Sequence, residues 1–169
     1  MEAAAVFLAV RPRSVAETRR RLRDLGYPHP LIDTVLERLT EMGYLDDSAF
    51  ATAWVESRDR ARPRGESALR RELSLKGVDR ETVREVLETR RSLDEERPED
   101  GPAPSPDRIA AERLLDRKCA SLMREEDPRK RRQKAYALLV RNGFSPDVCR
   151  TAAAAFERGA DADEDDDGG

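Results

Sequence analysis

With 38% hydrophobic and 40% charged side chains over 169 residues, the chain is lean for a deep globular core and suits helices that each bury one stripe. No stretch approaches the ~20 apolar residues of a membrane span, and MEAAAVFLAV, followed at once by Arg11-Pro12-Arg13, reads as an amphipathic helix rather than a signal peptide. The net charge of −3 conceals a segregation: residues 159–169 hold six acids and no base, residues 92–107 a net of −5 and Glu2 one more acid, which leaves +9 on the remainder. A basic body of this kind points to nucleic acid, a nucleoprotein assembly or another acidic surface.

Every periodic segment reads as helix, and no run alternates apolar and polar long enough for a strand. The first helix spans residues 2–10 and ends before Pro12. Ser14-Val15-Ala16-Glu17 is a capping box that opens the second helix, which runs to Leu25, where Gly26 supplies the left-handed C-terminal residue. Pro28 and Pro30 open the third, whose stripe is Leu31, Ile32, Val35, Leu36, Leu39 and Met42; Gly43 closes it. Asp46-Asp47-Ser48 caps the fourth, which carries Phe50, Trp54 and Val55 and ends before Pro63. The fifth spans about residues 66–76, with Leu69 and Leu73 on one face and Gly77 as its stop. Asp79 caps the sixth, with stripe Val83, Val86 and Leu87. Residues 92–106 (SLDEERPEDGPAPSP) are acidic and proline-rich and read as a flexible linker. Ser105-Pro106 starts the seventh helix, lined by Ile109, Leu114, Leu115 and Leu122. Asp127-Pro128 starts the eighth, which runs through Tyr136, Leu138 and Leu139 to Asn142-Gly143. Ser145-Pro146 starts the last, with Val148, Cys149, Ala152, Ala153 and Phe156 inward. The acidic residues 159–169 are expected to be disordered.

These helices fall into a repeat. Gly26, Gly77 and Gly143 each follow a leucine by four residues (Leu22, Leu73, Leu139) and precede an apolar residue by one (Tyr27, Val78, Phe144). The glycines stand 51 and 66 residues apart, and the difference matches the 15 residues of the linker. The expected architecture is all-α: nine helices in three tandem three-helix repeats, at residues 1–43, 44–91 and 107–158. Phe7, Phe50, Trp54 and Phe144 are the expected core anchors.

No catalytic constellation emerges, so the chain is not expected to be an enzyme. The one histidine, His29, lies between two prolines with no cysteine cluster near it, and supports neither a zinc site nor a triad. No glycine-rich phosphate loop is present, and no metal or cofactor is called for. Cys119 and Cys149 fall within helical patterns and read as free, reduced thiols of a cytosolic protein. Carboxylates on the helices interleave with arginines, as surface ion pairs do.

Arginine placement is what remains. Arg19, Arg20, Arg21 and Arg23 stud the second helix, and Arg70 and Arg71 stand at the same distances from Gly77 as Arg19 and Arg20 from Gly26. Lys130, Arg131, Arg132 and Lys134 thicken the corresponding helix of the third repeat, while Arg58, Arg60, Arg62 and Arg64 form a ladder between the fourth and fifth helices. These residues are the candidate partner-binding strip, since guanidinium offers planar, bidentate contacts to carboxylate or phosphate. Sparse aromatics argue against base stacking.

Several stretches carry a family resemblance: Arg11-Pro12-Arg13-Ser14 with Glu17 and Leu22; Gly43-Tyr44-Leu45-Asp46-Asp47 with Phe50-Ala51; Lys76-Gly77-Val78; and Arg141-Asn142-Gly143-Phe144-Ser145-Pro146-Asp147. Together they resemble the RecX family of regulatory proteins, modulators of the bacterial RecA recombinase, over nearly all of residues 1–158 apart from the linker. The resemblance implies an elongated, curved array of three modules. It also implies binding in the helical groove of the RecA–single-stranded DNA filament and restraint of strand exchange, ATP hydrolysis and coprotease activity, which adjusts recombination, DNA repair and the SOS response; a monomer is expected. Thr18 departs from the family's preference for an apolar residue, and a looser start to the second helix is expected there. The alternative reading is a direct DNA-binding protein of helix-turn-helix type. Against it, the candidate recognition helix would offer Asp33, Glu37, Arg38 and Glu41 to the phosphates.

Overall fold

The computed structural model describes residues 1–95 and 104–166. Ten helices and no strand are found among the described residues: α1 Glu2–Val10, α2 Val15–Asp24, α3 His29–Glu41, α4 Asp47–Ala61, α5 Glu66–Leu75, α6 Arg80–Glu95, α7 Pro106–Asp116, α8 Cys119–Leu122, α9 Pro128–Arg141 and α10 Pro146–Asp166. They form tandem three-helix repeats.

The repeat is visible in the backbone. Gly26, Gly77 and Gly143 adopt φ of 83°, 77° and 84°, a conformation that costs a side chain but not glycine. In each copy the amide after the glycine donates back to the repeat leucine: Tyr27 to Leu22 O, Val78 to Leu73 O and Phe144 to Leu139 O. Those leucines are buried alike, at 3%, 0% and 0% exposure. Local caps also form where the sequence places them. Ser14 and Glu17 complete the capping box of α2, while Ser105 and Asp127 cap α7 and α9, each with proline in the first turn.

The chain divides into two compact units. The first comprises Met1–Glu56 and Arg70–Glu88. Its core gathers Ala4, Leu22, Ile32, Val35, Leu36, Leu39 and Leu45. Around this core Trp54 links α4 to α5: its indole donates to Glu72 Oε2 at 2.9 Å, and Lys76 Nζ lies 4.9 Å from its ring centroid. The second unit comprises Ser57–Leu69 and Thr89–Gly169, with a core that includes Leu114, Leu115, Leu122, Leu139, Phe144 and Cys149. Arg90 is its ionic hub. It holds both oxygens of Asp59 at 2.9 Å and Asp107 Oδ1 at 2.7 Å, and Asp107 in turn accepts the first amide of α5 from Glu66.

Several expectations are corrected. The seventh helix breaks at Arg117-Lys118 into α7 and α8, where Arg117 turns to donate to the carbonyls of Arg60 and Ala61 at the end of α4. Leu31 and Met42, at the two ends of the α3 stripe, are each 48% exposed, because only the middle of that helix covers the core. Phe50 and Phe144 are buried, but Trp54 and Phe7 are half-buried; Arg13 lies over the open face of Phe7, 4.1 Å from its centroid. Thr18 loosens nothing: it is fully buried, and its hydroxyl donates to Ser14 O at 3.0 Å. The backbone of α10 continues to Asp166 rather than stopping at Gly159. Of the linker, residues 92–95 extend α6, and residues 96–103 lie outside the described residues.

Candidate functional site

The second helix builds the site. Its capping box fixes where the helix starts, and that start sets the direction of every following side chain. Thr18 and Leu22 then face inward, and Arg19, Arg20 and Arg23 share the opposite side at helical spacing. They line a shallow cleft of about 250 Å³ with Val15, Ala16, Asp47 and Gly77.

The walls are held by hydrogen bonds. Ser14 Oγ donates to Lys76 O at 2.6 Å, Lys76 Nζ donates to Glu17 Oε1 at 2.7 Å, and the first amide of α2, that of Val15, donates to Asp47 Oδ1 at 2.9 Å. Burial pushes the Glu17 carboxyl up, but Lys76, the Ser14 amide and Arg11 together hold it below its ordinary value. Asp47 goes the other way: burial and the nearby Asp79, Asp46 and Glu17 raise its carboxyl despite the Val15 amide.

Within the cleft, Arg19 pairs with Asp33 of α3. Arg20 and Arg23 are exposed and make no ion pair among the described residues. The cleft therefore sets two guanidinium groups without ion pairs among the described residues beside Val15, Ala16, Gly77 and the amide-bonded Asp47 carboxylate; the guanidinium groups suit phosphate or carboxylate oxygens.

The structure treats the remaining sequence candidates unequally. Arg71 is exposed and Arg70 half-buried on α5. Arg60 and Arg62 are exposed and Arg58 half-buried. Arg64 turns inward, donating to Asn142 Oδ1. Lys130, Arg132 and Lys134 are exposed on α9, although Lys134 pairs with Glu125 and Lys130 approaches Asp127. Arg131 is a correction. It is 3% exposed and donates to Glu157 Oε1 at 3.0 and 2.8 Å and to Glu125 O at 3.4 Å, so it is part of the core of its unit rather than of a surface strip. Sequence reasoning did not find the part Asp47 plays in the cleft. Its position reads as a helix cap, and the amide it serves is 32 residues away.

Other chemistry-bearing groups take structural places. His29 is exposed in the first turn of α3. Cys119 and Cys149 are free thiols; burial raises the Cys149 thiol, which lies 3.6 Å from Phe144 O. No group of three or more His, Cys, Asp or Glu able to hold a metal occurs among the described residues. No helix among them is long and apolar enough to cross a membrane.

Fold and site together define an all-α protein of tandem three-helix repeats with a cationic cleft on the middle helix of its first copy. Family models for the first, second and third three-helix domains of RecX match residues 1–39, 46–87 and 110–152. The chain belongs to the RecX family. It is 34% identical over 134 residues to the regulatory protein RecX of Thermobifida fusca, covering 79% of this chain and 65% of that one. It is 33% identical over 141 residues to the regulatory protein RecX of Mycobacterium ulcerans, covering 83% and 75%. The crystal structure of RecX from Lactobacillus salivarius shares the fold, with a TM-score of 0.74, 18% identity, and coverage of 92% of this chain and 93% of that one.

Proposed function

We propose that this chain is a monomeric, cytoplasmic, non-enzymatic regulator. It binds in the helical groove of the RecA–single-stranded DNA filament and restrains its recombinase, ATPase and coprotease activities, and thereby DNA repair and the SOS response. The observation that carries the reading is a RecX three-repeat chain whose α2 presents Arg20 and Arg23, without ion pairs among the described residues, beside Arg19 in one cleft. A filament is itself periodic, so a periodic binder can meet successive protomers with equivalent modules, here taken as residues 1–43, 44–91 and 107–158. Arg58, Arg60, Arg62, Arg70, Arg71, Lys130, Arg132 and Lys134 supply further positive charge for the same partner. Direct reading of duplex DNA is disfavoured by α3, whose exposed side includes Glu37 and an Arg38–Glu41 pair.

The test is binding to RecA–single-stranded DNA–ATP filaments, to free RecA and to naked duplex, all at physiological salt. Filament-selective binding is expected. Equal affinity for naked duplex would replace this reading with that of a DNA-binding protein.

A further inference from the structure

The repeat glycines do more than end helices. Gly77 packs against the start of α2, where a Cβ on it would lie 2.3 Å from Ala16 Cβ. Gly143 packs against the start of α5, where a Cβ would lie 2.5 Å from both Ala68 Cβ and Ala68 N. In both cases the carbonyl just before the glycine accepts a hydrogen bond from the cap of that helix: Lys76 O from Ser14 Oγ at 2.6 Å, and Asn142 O from Gly65 N at 3.0 Å. In both cases the apolar residue just after the glycine is buried, Val78 and Phe144 at 5% exposure each. Ser14 and Gly65 each stand 12 residues before their own repeat glycine, so each unit contains the same joint. Its physics is simple. The negative end of one helix, with its unpaired carbonyls, meets the positive end of another, with its unpaired amides, and the missing Cβ lets them touch.

The first repeat has the same turn, and among the described residues nothing packs on it. Gly26 has the left-handed φ of 83° but no neighbouring atom within 4 Å of an added Cβ. Leu25 O accepts no hydrogen bond among the described residues. Leu25 and Tyr27 are 46% and 41% exposed, where Val78 and Phe144 are covered. Among the described residues the chain offers no vacant helix start of the Ser14 or Gly65 kind for this turn. The starts of α2 and α5 are already occupied, and the middle helix of the third repeat starts at Pro128 with Asp127 as its cap, a carboxylate that already accepts the amides of Arg129 and Lys130 where the other two have Ser14 and Gly65.

We propose that the Leu25-Gly26-Tyr27 turn is a protein-docking site. Its occupant is the first turn of a helix on a protein subunit of the partner, with a Ser or Gly cap and alanine within the following turn. The proposal rests on the filament reading above and assigns this neutral turn to protein and the arginine cleft to anionic groups. Self-association through the turn is not expected, since no copy has a vacant acceptor among its described residues.

Two measurements test it. Gly26→Asn keeps the left-handed turn, which Asn tolerates, but blocks close approach; Tyr27→Ser removes the ring and leaves the backbone alone. Each is expected to weaken binding to RecA–single-stranded DNA filaments by about tenfold, with unchanged salt dependence and near-wild-type thermal midpoints. Separately, a stapled helical peptide of sequence RGESALRRELSL, the start of α5 with its cap, is titrated into the isotopically labelled full chain. The Gly26 amide signal should shift, and in Gly26→Asn the amides of Leu25, position 26 and Tyr27 should stay unmoved. If the filament binds wild type and both variants equally, or the peptide leaves Gly26 unmoved, the docking proposal is overturned while the filament reading stands. If wild type ignores the filament yet the peptide moves Gly26, the docking chemistry is supported and the filament reading falls.

Discussion

A missing β-carbon does different work at three equivalent positions. At Gly26 it relieves only backbone strain, so Gly26→Ala is expected to cost about 1 kcal/mol. At Gly77 strain and overlap with Ala16 combine, and Gly77→Ala should cost about 3 kcal/mol or more by urea denaturation. Adding Ala16→Gly should restore part of that loss. Ala68→Gly should restore less for Gly143→Ala, because there the clash includes backbone nitrogen. Glu17 carries a second prediction. Its carboxyl is held below its ordinary value mainly by Lys76, against the opposing effect of burial. Its stabilisation is therefore present above the unfolded-state pKa and lost as pH falls through the lower folded value. Glu17→Gln should cost about 1 kcal/mol at neutral pH and flatten the acid limb of the stability profile. These residues show what sequence can and cannot reveal. The Ser14–Glu17 box and the glycine stops are local, and their chemistry is written within four residues. The contacts of Ser14 with Lys76 and of Val15 with Asp47 span 62 and 32 residues, and no spacing rule encodes them.

Helices in this chain are placed by their ends as much as by their stripes. Apolar periodicity marks the middle of α3 correctly but overreaches at Leu31 and Met42, because period alone does not say how far a covering helix extends. Charge on an element is equally ambiguous. Arg131 and Arg132 are neighbours in a basic run, yet Arg131 is buried against Glu157 while Arg132 is exposed. Helical phase separates them: Arg131 precedes the buried Ala135 by four residues. Arg131→Met should destabilise the protein by about 3 kcal/mol or more, by leaving Glu157 buried without its partner, and Arg131→Met/Glu157→Gln should recover much of that. Arg132→Glu should change stability by no more than about 0.5 kcal/mol. On α2, Arg20→Glu/Arg23→Glu should leave circular dichroism unchanged, weaken filament binding and reduce its salt dependence. The glycine-turn variants should leave that salt dependence alone.

At the scale of the molecule, duplication explains both what is regular and what is not. Leu, left-handed Gly and an apolar residue recur with the same hydrogen bond after the middle helix of each copy, and once more at Leu39-Gly43-Tyr44, while the Gly26 turn of the first copy and the start of the last copy's middle helix differ from their equivalents. Among the described residues the first is open, and the second carries its own carboxylate cap, Asp127. Sequence periodicity made the copies legible; which copies have partners was not, since it depends on what each turn meets. The most direct measurement of the regulatory claim is the single-stranded-DNA-dependent ATPase of RecA titrated with this chain at physiological salt. Hydrolysis should fall with increasing chain for wild type and fall far less for Arg20→Glu/Arg23→Glu; an ATPase rate unaffected by saturating wild-type protein would contradict it.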